Sequence, residues 1–243
     1  MSRLWPESIR LHIGPDAIRL SRAGQAAVEL PLTPDWAASL AGLPALPARG
    51  RLHVTIADRH ARYLRVDWPA GLKAAEREAF TAHRFQTVFG DAGAWAILAD
   101  QDAVSFPSLA CCIPASLLEA LRAFASVRRL RLASVEAAFI ADYNRACAAF
   151  AADGGFARLE AGRVTISLWR DGQWRAVRSQ AVPVADAMAA ARCLGGVLPT
   201  LAGTDAAPVA GILYLAGAAT TVGPGPGVLP AGWTLALVPE GLS

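Results

Sequence analysis

The sequence predicts an α/β protein of two lobes. Two observations carry that expectation and a third bounds it. Residues 9–22 (IRLHIGPDAIRLSR) alternate apolar and polar side chains on either side of Gly14-Pro15-Asp16, the pattern of two short strands around a turn. Residues 156–179 repeat it, with turns at Ala161-Gly162 and Arg170-Asp171-Gly172, and Asp-Gly between alternating runs is a strong hairpin signal. Each hairpin opens half of the chain and is followed by strands and helical segments. That weak duplication favours two lobes over one doubly wound sheet. At 243 residues, 54% hydrophobic and 18% charged, the chain is long and apolar enough for sizeable cores.

The remaining elements follow in order. Residues 26–32 add a third strand to the first hairpin. Thr33-Pro34-Asp35 starts a short helix through Trp36 to Leu40, with the proline in its first turn. After a loop at 44–50, residues 51–57 alternate strictly, placing Leu52, Val54 and Ile56 on one face. Asp58-Arg59-His60 turns the chain into a strand at 63–68. Residues 72–89 have helical spacing, with Ala75, Ala79, Ala82, Phe85 and Phe89 on the apolar side, Glu78 at its margin and Phe80 toward the polar side. Residues 94–99 and 108–113 read as strands. Pro114-Ala115-Ser116 opens a helix that turns Leu117, Leu118, Leu121 and Phe124 inward. A short strand at 129–135 and an alanine-rich helix at 137–152 complete the first half. The second half continues from strands at 156–160, 163–169 and 174–179 to a helix at 184–201 and buried strands at 211–216 and 233–238.

Composition narrows the function classes. The net charge is +3 with a pI of about 8.9, and Lys73 is the sole lysine. Arg128-Arg129-Leu130-Arg131 is the densest basic cluster; it falls at a helix end, where cations suit the macrodipole. No basic run is interleaved with aromatics, so nucleic acid is not the expected partner. Residues 1–7 lack the apolar core of a signal peptide. The uncharged stretch 206–239 is broken by Gly223-Pro224-Gly225-Pro226-Gly227 and Pro230, and reads as two strands and a loop instead of a membrane span. Cys111, Cys112, Cys147 and Cys193 form no C-x-x-C pair, and His12, His53, His60 and His83 show no ligand spacing, so reduced thiols and no metal are expected. Nucleophile elbows and P-loops are missing. Glu76 and Glu78 are two apart on a helix and do not share a face.

Four stretches together carry a resemblance. They are residues 9–22; YLRVDWPAGLKAAEREAF at 63–80; ACCIPASLLE at 110–119 with LASVEAAF at 132–139; and RVTISLWRDG at 163–172. In this order they resemble the actin-like ATPase superfamily, in its branch of PilM-type pilus assembly proteins and GspL-type type II secretion cytoplasmic domains. The resemblance implies a two-lobed actin-like (ribonuclease H-like) fold with a shortened second lobe. The first lobe would span 1–152, including a small inserted α/β subdomain at about 58–104, and the second 153–243.

The nucleotide motifs depart from the family pattern. An Asp in each phosphate hairpin would orient Mg²⁺ and water, because Mg²⁺ takes hard oxygen ligands. Here the first position holds His12, with Gly14 retained and Asp16 nearby in the turn. At the second, Arg158 stands where the Asp belongs and Glu160 where a glycine belongs. The adenosine-side strand keeps one glycine, Gly217, of the usual two. The expectation is a non-catalytic scaffold, a pseudo-ATPase with no ATP or Mg²⁺ cofactor, in the inner-membrane platform of a type IV pilus or type II secretion system. The alternative is an ATP-binding actin-like protein with unusual ligands. Its partners would be an inner-membrane assembly protein segment or the assembly ATPase, with homodimerisation left open. It would be cytoplasmic, held at the inner membrane through those partners. By the same resemblance a peptide groove involves 63–89, where Phe80 and His83 lie off the apolar stripe and are the candidate partner contacts.

Overall fold

The computed structural model describes residues 7–47, 49–90, 92–99, 107–182, 187–202, 210–217 and 229–238. In chain order the elements are β1 (Ser8–Ile13), β2 (Ala17–Arg22), β3 (Val28–Pro31), α1 (Trp36–Ala41), β4 (Arg51–Ile56), β5 (Arg62–Val66), α2 (Ala74–Phe89), β6 (Trp95–Ala99), β7 (Ser108–Pro114) and α3 (Ala115–Val127). They continue with β8 (Arg131–Ala137), α4 (Ala138–Ala146), β9 (Gly154–Glu160), β10 (Arg163–Arg170), β11 (Gln173–Ala181), α5 (Ala187–Ala202), β12 (Gly211–Gly217) and β13 (Trp233–Leu237). The expected elements are present. The loop expected within 206–239 includes 218–228, which lie outside the described residues.

Two five-stranded sheets share one plan. The orders are β3-β2-β1-β4-β8 and β11-β10-β9-β12-β13. In each, three antiparallel strands come first. Two later strands then add in parallel on the far side of the hairpin's first strand. β1 thus corresponds to β9, and β4 to β12. The duplication faint in the sequence is explicit in strand order and direction. A third sheet, β5-β7-β6, has three strands.

The chain forms two compact units, one of residues 1–61, 93–96 and 112–138, the other of 62–92, 97–111 and 139–243. In the first, one sheet face is core: Ile9, Leu11, Ile13, Ile18, Leu20, Leu52, Val54 and Ile56 are buried, as are Leu40 of α1 and Leu117, Leu121 and Phe124 of α3. The alternate positions Arg10, Arg19, Arg51 and Arg131 are exposed, the in–out pattern of a sheet with one wet face. In the second unit β10 is buried on both faces. Val164, Ile166 and Leu168 pack with Leu194, Val197, Leu198 and Leu201 of α5. The opposite face of the sheet meets α4, through Phe139 and Tyr143 against Phe156.

Three expectations are corrected. Pro34 precedes α1; Asp35 is the N-cap, its Oδ1 accepting from the Ala37 and Ala38 N–H groups at 2.8 and 3.2 Å. The buried stripe of α2 is Thr81 and Phe85, flanked by the half-buried Arg77 and Phe89, while Ala75 and Ala79 are exposed. The Trp68 indole sets that side, donating to Thr81 Oγ1 at 3.0 Å beneath the Arg77 guanidinium. Lastly, α4 ends at Ala146. After a single 3₁₀ turn, Phe150 is extended and stacks on Tyr214 and Trp169, with ring centroids 4.2 and 5.4 Å apart. No helix among the described residues is long and apolar enough to cross a membrane.

Candidate functional site

The first hairpin turn closes on itself. Ile13 pairs with Ile18, and the Gly14 N–H donates to the Ala17 carbonyl at 2.8 Å. Pro15 has no N–H. Of the backbone donors a phosphate cradle would use, one is engaged and one is missing. A Cβ on Gly14 would lie 2.9 Å from the Ala17 oxygen and 3.7 Å from His12 Nε2, so the turn itself requires the glycine and the His12 ring leans over it. From the other side, His60 Nε2–H donates to the Gly14 carbonyl at 3.0 Å, and Trp36 meets the His60 ring edge-on. Asp16 is 81% exposed, 3.5 Å from Arg59. Three residues expected to act together therefore share one turn, with His12 over Gly14 and the Asp16 carboxylate in solvent.

The second hairpin carries a buried ion cluster. Arg158 on β9 is 12% exposed, and its Nε donates to Asp142 Oδ2 of α4 at 2.8 Å. Its Nη1 donates to Glu160 Oε2, also at 2.8 Å, and the Glu160 side chain is 7% exposed. Asp142 pairs in addition with Arg145 at 3.0 Å. A guanidinium is a permanent cation with donors only, so it cannot ligate Mg²⁺. The carboxylate of Glu160 is turned onto that guanidinium. Asp142, 16 residues before Arg158, was not among the sequence candidates; its place on a helix gave no sign of which strand it would meet.

Beside this cluster the sheet is filled with rings. Tyr143 contacts Phe150, Phe156, Trp169 and Trp174, with centroids 4.7–5.9 Å apart. Burial, with a smaller contribution from the charge of Cys147, pushes the Tyr143 hydroxyl up to about 12. Gly217 at the end of β12 has φ +101°, and a Cβ there would overlap the Leu159 carbonyl. Close approach of β12 to β9 explains this glycine without a ligand. The last two residues of the adenosine-side stretch 213–219, Ala218 and Ala219, lie outside the described residues.

The second unit also has a groove of about 280 Å³ lined by Trp68, Arg77, Glu78, Thr81, Ala82 and residues 97–99. Leu98 is 74% exposed at this groove. Its walls mix the apolar side chains of Trp68, Ala82 and residues 97–99 with Thr81, Arg77 and Glu78, the last two of opposite charge. Phe80 is half-buried, His83 is exposed, and neither lines the groove.

No protein-family model matches the chain, and no curated protein matches it significantly. Solved structures do match. A chain of the PilM–PilN type IV pilus biogenesis complex aligns at TM-score 0.63 and 14% identity, over 88% of this chain and 82% of that one. The cytoplasmic domain of EpsL, an inner membrane component of the type II secretion system of Vibrio cholerae, aligns at TM-score 0.55 and 11% identity, over 97% and 90%. A Bacteroides thetaiotaomicron protein of actin-like ATPase fold and unknown function aligns at 0.55 and 11%, over 87% and 82%. The fold is actin-like.

Within an actin-like fold the two hairpins are the places to look for phosphate and metal chemistry. The first offers a self-closed turn under an imidazole. The second offers a guanidinium already bonded to two carboxylates. Neither donor set suits Mg²⁺, which takes oxygen ligands in near-octahedral geometry. The residues present do not fit the metal–nucleotide group that the fold implies.

Proposed function

We propose that this chain is a non-catalytic actin-like scaffold of the inner-membrane assembly platform of a type IV pilus or type II secretion system. It acts by binding partner proteins on the cytoplasmic side. The single observation that supports this best is Arg158 held between Asp142 and Glu160, where catalysis would need a metal-bound carboxylate. The pilus and secretion proteins among its structural neighbours support the choice of machine. In this reading the groove beside α2 takes a short apolar segment of an inner-membrane partner, with Trp68 and Leu98 as the apolar contacts and Arg77 and Glu78 fixing its register.

Calorimetric titration with ATP and Mg²⁺ to millimolar concentration tests the silent cleft chemistry, alongside thermal shift. The expected result is no heat and no shift. A clear Mg²⁺-dependent shift overturns the scaffold reading in favour of a nucleotide-binding one. Fractionation tests the location: the chain follows the membrane only when the other assembly proteins are co-expressed.

A further inference from the structure

The basic cluster at the end of α3 acquires a partner through the fold. Arg129-Leu130-Arg131 runs beside Arg49-Gly50-Arg51, although some 80 residues separate them in sequence. The Arg49 N–H donates to the Arg129 carbonyl and the Arg131 N–H to the Gly50 carbonyl, both at 2.9 Å. Gly50 and Leu130 point inward and are buried, while Arg49, Arg51, Arg129 and Arg131 are exposed. Gly50 has no room for a side chain, since a Cβ would lie 2.7 Å from Ile9 Cδ1. Arg10 extends the patch on β1, where it pairs across to His53 of β4.

This arrangement is unfavourable in the free protein. Arg51 and Arg131 are direct neighbours on adjacent strands, and like charges in that position destabilise a sheet. Arg49 and Arg129 both have positive φ, +70° and +56°, a backbone that side chains other than Asn and Asp seldom adopt. None of Arg10, Arg49, Arg51, Arg129 and Arg131 has an ion pair among the described residues. Arg128, next in sequence, is satisfied differently, donating to the Leu43 carbonyl at 3.1 Å.

We propose that the paired Arg-x-Arg segments are a docking site for an extended acidic segment of a partner protein. Alternate residues of an extended chain lie about 6.8 Å apart and neighbouring strands about 4.8 Å apart. Carboxylates two residues apart in the partner can each meet one arginine pair, Arg51 with Arg131 where the two strands begin and Arg49 with Arg129 in the left-handed turns just before them. The planar fork of arginine suits bidentate carboxylate recognition. Two features argue against other polyanions. Glu29 and Glu136 are exposed on the same polar face, at its two outer strands, and would be pressed against the plane of an anionic membrane. The described residues of these strands place no Phe, Tyr or Trp on that face for bases to stack on. The site shares no residue with the groove beside α2 and does not depend on it.

Fluorescence anisotropy with a labelled (Glu-Ser)₅ peptide tests the proposal, with (Gln-Ser)₅, phosphatidylserine vesicles and oligo-dT as comparison probes. The parent should bind (Glu-Ser)₅, more weakly as salt rises from 50 to 200 mM. Changing Arg49, Arg51, Arg129 and Arg131 together to Gln should weaken binding roughly thirtyfold. Changing the exposed Arg84, Arg122, Arg170 and Arg192 to Gln makes the same net-charge change and should cost less than about threefold. Should the first variant not fold, the pair Arg51→Gln, Arg131→Gln decides, with about a fivefold loss and a Tm equal to or above the parent's. Equal loss in both charge sets, no binding of (Glu-Ser)₅, equal binding of (Gln-Ser)₅, or tighter binding of vesicles or oligo-dT through the same arginines would each overturn it.

Discussion

Arg158→Ala tests whether the second hairpin is organised as a buried ion cluster. The guanidinium is 12% exposed and makes two bonds of 2.8 Å, one to a carboxylate that is 7% exposed and one to a carboxylate that is 21% exposed. Asp142 keeps Arg145 at 3.0 Å, so its loss is the smaller one. Glu160, 7% exposed, is the more deeply desolvated of the two carboxylates, and its loss is the larger one. Removing one member of such a cluster costs about 3–5 kcal/mol, most of it the uncompensated charge. At about 2–4 °C per kcal/mol for a chain of this size, Tm should fall by about 10 °C, read by circular dichroism. The double variant Arg158→Met, Glu160→Gln removes both charges and should recover most of the loss. A melt within about 3 °C of the parent for Arg158→Ala, or a double variant as unstable as the single, would refute the reasoning.

Other consequences are equally direct. The Tyr143 hydroxyl is raised in the folded state to about 12, above its ordinary 10, so its contribution is whole below pH 10 and is lost as pH rises from 10 to 12. Tyr143→Phe should therefore show a flatter fall in Tm over that range; parallel curves would contradict the assignment. Gly217→Ala should destabilise by about 3 kcal/mol or more, since a strained φ costs about 1–3 kcal/mol before the overlap with Leu159 is counted; a urea midpoint near the parent's would show that β12 does not need this glycine. Asp35→Ala should cost about 1 kcal/mol and Asp35→Asn much less, because the lost groups are the two N–H bonds that cap α1. Equal midpoints for the two variants would remove the cap from the account.

What was legible was local. Asp171-Gly172 announced a two-residue hairpin, and both residues take positive φ, +52° and +69°, as that turn demands. Strict alternation in 51–57 placed Leu52, Val54 and Ile56 inward, and they are buried. The α2 stripe was misread because alanines define a face poorly; Trp68, six residues before the helix begins, chose the side with Thr81. The end of α4 was also misread. Alanine propensity favoured continuing to 152, and ring stacking of Phe150 overrode it.

The sequence by itself determined the elements, their turns and the departures from a phosphate site, because periodicity, turn chemistry and residue identity are written within a few consecutive positions. It placed an arginine at 158 and a basic run at 128–131. Only the tertiary structure decided what those charges meet. Arg158 closes on Asp142 from a helix and Glu160 from its own strand, and is neutralised. Arg131 lies beside Arg51 through parallel pairing across some 80 residues, and the patch remains cationic. A charge takes its role from its neighbours, and neighbours contributed by distant segments are set by strand order and register, which no local pattern encodes.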